Sequence, residues 1–255
     1  MGGILFHPIT FILLFLVIIV GSQIELGRII FPGGGNKSLL KSLLISVPVY
    51  LITSLTAAGI FPESAILLSV LIIILIFISG LYTRGKDHFT SLSKVLLIVV
   101  YTTLPYIFMT FSAFGSGNGF SAFSPELVAS FFVLLWINDT GAYLFGIAFG
   151  RHKLFERISP KKTWEGFAGG TLLTIVTAWF VGQFSGSFSQ YLWVLSGLVV
   201  SVFGTFGDLF ESQLKREYDI KDSGSILPGH GGFLDRFDGI TFAFPALYLC
   251  ITFFG

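Results

Sequence analysis

Residues 191–239 read YLWVLSGLVVSVFGTFGDLFESQLKREYDIKDSGSILPGHGGFLDRFDG, an apolar segment that runs directly into the most charged part of the chain. The protein has 14 acidic residues and 15 lysines and arginines. Seven of those acidic residues and four of the basic ones lie within residues 208–239. Because the apolar part is about as long as a bilayer-spanning helix, the stretch predicts a membrane helix that ends in a cluster of charge.

The spacing of the charged residues predicts a cation site. If the helix continues past residue 208, four side chains share one face at i, i+3, i+4 and i+7: Asp208, Glu211, Ser212 and Lys215. Asp235 and Asp238 are three residues apart, so that both carboxylates reach one cation if this turn is helical as well. Mg²⁺ prefers such oxygen ligands and usually keeps substrate phosphates in its coordination shell.

A glycine-rich loop separates these two groups of carboxylates. Residues 228–232 read PGHGG, and glycines allow a sharp turn and a close approach of the backbone to a ligand. Consecutive backbone amides in such a loop form an anion-binding nest. Carboxylates for a metal, cations for phosphates and a glycine loop indicate phosphoryl or nucleotidyl transfer. Charge alone is more typical of a solvated cytoplasmic connection between two membrane helices.

Composition predicts an all-α, polytopic membrane protein. Hydrophobic residues make up 53% of the chain, charged residues 11%, and the mean hydropathy is +0.86. Eight apolar segments are long enough to cross a bilayer, at about residues 4–20, 42–60, 64–82, 95–112, 127–149, 166–183, 191–210 and 239–254. The first segment lacks a basic start and a clear cleavage site, so we expect a retained helix.

The basic residues predict the orientation in the membrane. All 15 lysines and arginines lie in alternate gaps between the eight segments. Positive charge marks the cytoplasmic face, so we expect both termini outside and the charged loops, including the site, inside. The single cysteine, Cys250, excludes an intramolecular disulfide. Basic tracts that would indicate nucleic-acid binding are absent from the sequence.

The fifth apolar segment contains a second group of candidate site residues. Asn138 and Asp139 interrupt WINDTGAYLFGIAFG, and an ionised Asp at the centre of a membrane helix costs roughly 2.5–3.5 kcal/mol on insertion scales. Such residues usually face a cavity or a partner, which favours a site residue over a simple interhelical hydrogen bond. Tyr143 and Gly146 fall on the same helical face as Asp139, where glycine permits close helix contact.

The loop that follows reads RHKLFERISPKKTWEGFAGG. Ser159 and Pro160 are typical of a helix start, with Ser as N-cap and Pro at the first helical position. Lys161, Lys162 and Thr163 would then lie in the first turn, where free amides favour anions. The alternative is an ordinary positive cytoplasmic loop. Three glycines further on suit tight packing of the sixth span: Gly166, Gly169 and Gly170.

Several motifs occur together in a characteristic order. SxxKR, KDxG, LPGHGG and DRxD follow one another between Ser212 and Asp238, and NDTGAY and SPKKTWEG precede them. This set resembles the phosphatidate cytidylyltransferase (CDP-diacylglycerol synthase) family over about residues 135–240. The resemblance implies transfer of CMP from CTP to phosphatidate, with release of pyrophosphate and a need for Mg²⁺. It also implies a homodimer, with helices of residues 1–112 as scaffold and residues 113–255 as catalytic region.

The resemblance also implies roles for particular residues. Asp208, Asp235 and Lys161 are the expected catalytic residues, and Asp208, Asp235 and Asp238 the expected metal ligands, with a second, monovalent cation left open. The expected substrate-binding residues are Asn138, Asp139, Ser159, Lys162, Thr163, Ser212, Lys215, Arg216, Lys221, Asp222, His230, Gly231, Gly232 and Arg236. His230 is expected either to transfer a proton or to organise the loop.

Two other classes of protein remain as alternatives. A related CTP-dependent lipid enzyme, similar to a CDP-archaeol synthase or a polyprenol kinase, would share the same kinds of residue. A transporter would also carry an intramembrane acid such as Asp139. The expected location is the prokaryotic inner membrane, with CTP and phosphatidate as substrates and no nucleic acid as partner.

Overall fold

The computed structural model describes residues 7–33, 36–82, 88–115, 123–224 and 232–255. The chain divides into two compact units. The first contains Met1–Glu126 and Asp222–Leu234, and the second contains Leu127–Lys221 and Asp235–Gly255. Within the described ranges, eight helices are long and apolar enough to cross a membrane. The predicted all-α architecture with eight spans is therefore confirmed.

The first unit is built from four long helices: α1 (Pro8–Ile30), α2 (Asn36–Ala57), α3 (Ile66–Leu81) and α4 (His88–Phe114). A short 3₁₀ turn, Glu63–Ala65, leads into α3. Helix α2 packs against the other three. Pro48 and Pro105 lie inside α2 and α4, as the sequence predicts, because neighbouring helices in a membrane protein compensate the lost hydrogen bond.

Polar groups lie inside the first unit as well as apolar ones. Gln23 of α1 is fully buried and donates through its side-chain amide to the hydroxyls of Ser46 and Thr102, on α2 and α4. Helix α1 also continues to Ile30, well beyond the predicted end of the first span near residue 20. The extra turns include Gln23 and Glu25, whose burial within the protein explains why polar residues are tolerated there.

The second unit contains α5 (Glu126–Phe149), a two-stranded hairpin, β1 (Lys153–Phe155) and β2 (Ser159–Thr163), then α6 (Trp164–Phe184) and α7 (Gln190–Glu217). A short helix, α8 (Leu234–Phe237), leads into α9 (Ile240–Phe254). Helix α7 packs against α6 on one side and α9 on the other. Glu126 and Leu234 are the only residues of these elements that belong to the first unit.

Glycines let α5 and α6 cross closely. A Cβ on Gly170 would lie 2.8 Å from the carbonyl oxygen of Asn138, and one on Gly166 would lie 2.6 Å from that of Ala142. Real Cβ atoms do not approach backbone oxygens so closely, so only glycine fits at either position. The predicted role of the glycines in packing the sixth span is confirmed.

The predicted helix start at Ser159 and Pro160 is wrong. Ser159 begins β2, which pairs antiparallel with β1 so that Ser159 faces Phe155 and Thr163 faces Lys153. Helix α6 begins at Trp164, and its N-cap is Thr163, whose hydroxyl oxygen accepts from the amide of Gly166 at 3.1 Å. Lys161 and Lys162 therefore lie on a strand and not in a first helical turn.

Glu165, a side chain of α6, bonds to the segment that leads into the hairpin. Glu165 accepts from the backbone amides of Arg151 and His152 at 3.1 and 3.2 Å, and it contacts His152 Nδ1 at 2.6 Å. The backbone amide of Trp164 also donates to the carbonyl of His152 at 3.0 Å. These bonds tie the segment before β1 to the start of α6, and Lys162 of β2 forms an ion pair with Asp208 of α7.

Candidate active site

A cavity of about 240 Å³ opens within the second unit. Its lining includes side chains from α5, β2 and α7, among them Asp139, Tyr143, Lys161, Lys162 and Asp208. Asn138, Ala142, Thr163 and Gly166 complete the part of its wall that the motifs NDTGAY and SPKKTWEG supply. Two motifs that are about twenty residues apart in sequence thus line one cavity together with Gly204, Thr205 and Asp208 of α7.

Asp208 is held by two neighbours at this cavity. Lys162 Nζ forms an ion pair with Asp208 Oδ2, and the Ser212 hydroxyl donates to Asp208 Oδ1 at 3.2 Å. Ser212 is one helical turn beyond Asp208, as the predicted shared face requires. The pair is only partly exposed, with 25% of the lysine and 38% of the aspartate side chain accessible. A ligand that enters the cavity therefore meets both charges.

Other carboxylates interact with Asp208. Asp139 of α5 and Asp238, just after α8, each lie close enough to Asp208 for a repulsive electrostatic interaction. Lys162 attracts both of them. Lys162 thus interacts with three acidic side chains, two of which are 99 positions apart in the sequence. The surplus of negative charge favours binding of a cation.

Asn138 supports the helices beneath the cavity. Its side chain is 2% exposed, and its Oδ1 accepts from the Ser201 hydroxyl at 2.6 Å. The Ser201 hydroxyl lies 2.7 Å from that of Thr171. Side chains of α5, α6 and α7 are thereby joined by hydrogen bonds. Asn138 makes the interhelical hydrogen bond considered above as the alternative, whereas Asp139 faces the cavity.

A second lysine lies between two carboxylates where α7 meets α8. Lys215 Nζ lies 2.8 Å from Asp235 Oδ1 and 3.0 Å from Glu211 Oε1. Glu211 is 1% exposed, so its charge depends on this ion pair. Glu211 also interacts electrostatically with Asp238. The Glu211–Lys215–Asp235 group is therefore electrostatically linked to the carboxylates around Asp208.

The other predicted site residues have varied surroundings. Ser159 is half-buried in β2, and the hydroxyl of Thr163 caps α6. Arg216, Lys221 and Arg236 are exposed. Asp222 and Gly232 belong to the first unit, where Asp222 is exposed and Gly232 buried. His230 and Gly231 lie outside the described residues.

The chemistry of the donors in the second unit suits Mg²⁺. Among the residues that the structure describes, no three acidic, histidine or cysteine side chains converge as metal ligands. Mg²⁺ is commonly bound by one or two protein carboxylates, with water and substrate phosphates completing the shell. Asp208 and its neighbours supply such hard oxygen donors and a surplus of negative charge, so the residues present fit the ion.

Three acidic residues with structural importance were not predicted as site residues. Glu211 binds Lys215, Glu165 binds the hairpin, and Glu25 of the first unit accepts a hydrogen bond from the amide of Leu234 at 2.9 Å. Glu211 stands on the predicted face with Asp208 and Lys215, and that spacing was the available signal. The partners of Glu165 and Glu25 are 14 and 209 positions away, beyond the reach of a local pattern.

Comparison with known proteins identifies the family. The sequence profile of the cytidylyltransferase family matches residues 1–254 of the chain. The chain belongs to the cytidylyltransferase family. It is therefore an enzyme of the nucleotidyltransferase class, and its eight apolar helices make this family member an integral membrane protein. The family resemblance predicted from the motifs is confirmed.

Three curated relatives of this cytidylyltransferase have the same name. A phosphatidate cytidylyltransferase of Bacillus subtilis (strain 168) is 40% identical over 183 residues, which are 65% of this chain and 68% of the relative. One of Staphylococcus haemolyticus (strain JCSC1435) is 35% identical over 224 residues, 85% of this chain and 83% of the relative. One of Staphylococcus aureus (strain COL) is 48% identical over 122 residues, 47% and 46% of the two chains.

Proposed function

We propose that this enzyme transfers the cytidylyl group of CTP to phosphatidate, which forms CDP-diacylglycerol and pyrophosphate for phospholipid synthesis. The observation that carries the proposal is the similarity to relatives that bear the name phosphatidate cytidylyltransferase, one of which matches over 85% of this chain. The paired lysines and carboxylates at the cavity of the second unit support it, since nucleotidyl transfer needs cations for phosphates and carboxylates for a metal.

The reaction we propose is a single displacement at phosphorus. A phosphate oxygen of phosphatidate attacks the α-phosphorus of CTP, a new P–O bond forms, and the bond from the α-phosphorus to the bridging oxygen of the β-phosphate breaks. The electron pair leaves with pyrophosphate. A general base is not required, because a phosphate monoester is largely ionised near neutral pH. The protein's task is to align the two phosphates and to balance their charge.

Lysine side chains are suited to that task. Lys161 and Lys162 line the cavity, and we propose that Lys161 contacts the reacting phosphates while Lys162 exchanges its bond to Asp208 for one to a phosphate oxygen. Further cations would stabilise pyrophosphate or anchor the lipid phosphate: Lys215, Arg216, Lys221 and Arg236. Asn138, Asp139, Ser159, Thr163, Ser212, Asp222, His230, Gly231 and Gly232 remain proposed substrate-binding residues.

A divalent cation is part of the proposal. Asp208 and Asp235 would hold Mg²⁺, with Asp238 as a further ligand, and a monovalent cation is a possible companion. When bound, Mg²⁺ supplies positive charge for the phosphate oxygens of the nucleotide. Lys162, which now neutralises Asp208, would then be released toward the phosphates, while Lys215 would keep its ion pair with Glu211.

The proposal also covers the orientation of the enzyme in the membrane and its oligomeric state. We propose that the site faces the cytoplasm of a prokaryotic inner membrane, since all lysines and arginines fall in alternate gaps. A homodimer, and the division into a scaffold of residues 1–112 and a catalytic region of residues 113–255, stay predictions. Crosslinking of the purified enzyme in detergent tests the dimer.

Product analysis distinguishes the proposed reaction from the related ones. Purified enzyme would be incubated with CTP and Mg²⁺ and with one of three lipids: phosphatidate, an unsaturated archaeal ether lipid phosphate, or a polyprenol. We expect a CDP-lipid and pyrophosphate with phosphatidate, at a rate at least tenfold above that with the ether lipid. Formation of a polyprenyl phosphate and CDP, or a preference for the ether lipid, would overturn the assignment.

A further inference from the structure

One carboxylate in the first unit contacts both ends of the segment that carries the glycine-rich motif. Glu25 of α1 is 1% exposed. Its Oε2 accepts from the backbone amide of Leu234 at 2.9 Å and lies 3.5 Å from the Ser223 hydroxyl. Ser223 precedes the LPGHGG sequence and Leu234 follows it, so a single side chain of α1 brings the two flanks together.

Two glycines of this segment lie so close to Glu25 that a side chain at either position would displace the carboxylate. A Cβ on Gly224 would lie 2.6 Å from Glu25 Oε1, and a Cβ on Gly232 would lie 2.5 Å from Glu25 Oε2. The close contact with the carboxylate therefore disfavours a side chain at both positions. We call the contacts of Glu25 with residues 223–224 and 232–234 the Glu25 clamp.

The same face of α1 makes a second contact with this segment. A Cβ on Gly21, one turn before Glu25, would lie 2.9 Å from the ring of Phe233. The ring thus packs against a part of α1 that has no side chain. Helix α1 therefore offers an apolar and a polar contact at i and i+4, which is the spacing of one helical face.

Only one of the two carboxylate oxygens of Glu25 accepts a hydrogen bond from the described residues. Among the described residues, no hydrogen-bond donor reaches its Oε1. A buried carboxylate in a membrane-spanning helix is costly, and an unpaired oxygen adds to that cost. The interactions that offset this cost are the contacts of Glu25 with Ser223 and Leu234, which indicate a role beyond packing.

We propose that Glu25 is a positioning residue for the glycine-rich motif: it holds residues 223–224, before the motif, close to residues 232–234 at its end. The inference rests on the proposed function, in which this motif contacts substrate phosphate. It assigns a part in the reaction to α1, which otherwise contributes only scaffold. The role needs a hydrogen-bond acceptor for the Leu234 amide, so glutamine retains much of it and alanine none.

The test compares three variants of full-length protein in detergent: Glu25→Ala, Glu25→Gln and, as a matched control, Gln23→Ala. Gln23 is equally buried two residues away on the same helix, but it bonds to Ser46 and Thr102 and not to the flanks. Hydrogen exchange at the Leu234 amide reports the clamp directly, and kcat/KM with CTP and phosphatidate reports its effect. Thermal unfolding shows which variants are folded.

We expect Glu25→Ala to speed exchange of the Leu234 amide and lower kcat/KM at least tenfold. Gln23→Ala should lower the thermal midpoint but leave that amide protected and kcat/KM within about threefold of wild type. Glu25→Gln should restore protection and at least a third of the activity. Equal effects of Glu25→Ala and Gln23→Ala, or failure of glutamine to rescue, would overturn the clamp. If the wild type is inactive with CTP and phosphatidate, the proposed function fails. Hydrogen exchange at the Leu234 amide then still tests whether Glu25 holds the two ends of the segment.

A double variant provides an independent check that does not rely on the stability of Glu25→Ala alone. Gly224→Ala places its Cβ against the Glu25 carboxylate, so we expect it to lower kcat/KM at least fivefold in the wild type. In a Glu25→Ala background the obstacle is gone, and the same substitution should change kcat/KM less than twofold. Additive effects of the two substitutions would show that they act independently, against the proposal.

Discussion

Lys215 of α7 places its ammonium nitrogen 2.8 Å from a carboxylate oxygen of Asp235 in α8. These residues belong to two separate sequence motifs, SxxKR and DRxD, that are twenty positions apart. The same nitrogen lies 3.0 Å from Glu211, so that one cation is shared by two carboxylates. The contact joins the two motifs in the structure, because each contributes one partner of an ion pair that is largely shielded from solvent.

Removal of the Lys215 charge should destabilise the protein. Lys215→Met leaves the buried Glu211 carboxylate without its counter-charge, and loss of one partner from a buried pair costs roughly 3–5 kcal/mol. We therefore expect a clear fall in the thermal unfolding midpoint in detergent. Arg216→Met, at the exposed neighbouring position, is the control and should change the midpoint little. An unchanged midpoint for Lys215→Met would contradict a structural role for the pair.

Asp208→Asn should abolish most of the activity without unfolding the protein. Asp208 lines the cavity and its side chain is 38% exposed, so we expect the fold to tolerate the loss of its charge. We expect kcat to fall at least a hundredfold, since loss of one preorganised electrostatic contact costs about that much in enzymes. Glu217→Gln, at the exposed end of the same helix, should retain wild-type kcat. Near-normal turnover by Asp208→Asn would remove this residue from the site.

Mg²⁺ should stabilise the wild type but not the carboxylate variants. A ligand that binds only the folded state raises its stability in proportion to the logarithm of its concentration above Kd. We expect the unfolding midpoint of the wild type to rise on titration with Mg²⁺ and to fall back after chelation. Asp208→Asn and Asp235→Asn should each reduce that rise. A full response in both variants would place the cation elsewhere.

The crossing of α5 and α6 should be intolerant of any side chain at Gly170. A Cβ there meets the Asn138 carbonyl at 2.8 Å and the Ala142 amide nitrogen at 3.0 Å, both of them backbone atoms. We expect Gly170→Ala to destabilise the protein by about 1–3 kcal/mol, the usual cost of overpacking. Gly186→Ala has no atom within 4 Å of its new Cβ and should be neutral. Equal midpoints for both variants would contradict this packing.

The spans could be predicted from the sequence because apolar length and composition act locally. The motifs around Asp139, Lys162 and Asp208 could also be assigned to one site, since their residue types suit phosphate and metal. The hairpin could not be predicted: Ser159 and Pro160 carry the local signals of a helix start. Bonds from Glu165 to the backbone of residues 151–152, and strand pairing across β1 and β2, move that start to Trp164.

The contribution of α1 was not predictable for a related reason. Glu25 follows the predicted end of the first span, in a stretch whose sequence is compatible with either a helix or a loop. Its partner, Leu234, is 209 positions away. Only tertiary structure relates the two, whereas the resemblance to the family rests on residues 135–240.

The fate of each CTP phosphate tests the central claim most directly. Purified enzyme, phosphatidate and Mg²⁺ would be incubated with CTP labelled at either the α- or the γ-phosphate, and the lipid would then be extracted. Nucleotidyl transfer predicts that α-label enters the lipid fraction and that γ-label appears in pyrophosphate. γ-Label in the lipid, or no label in the lipid from either nucleotide while the folded enzyme binds CTP, would contradict the account.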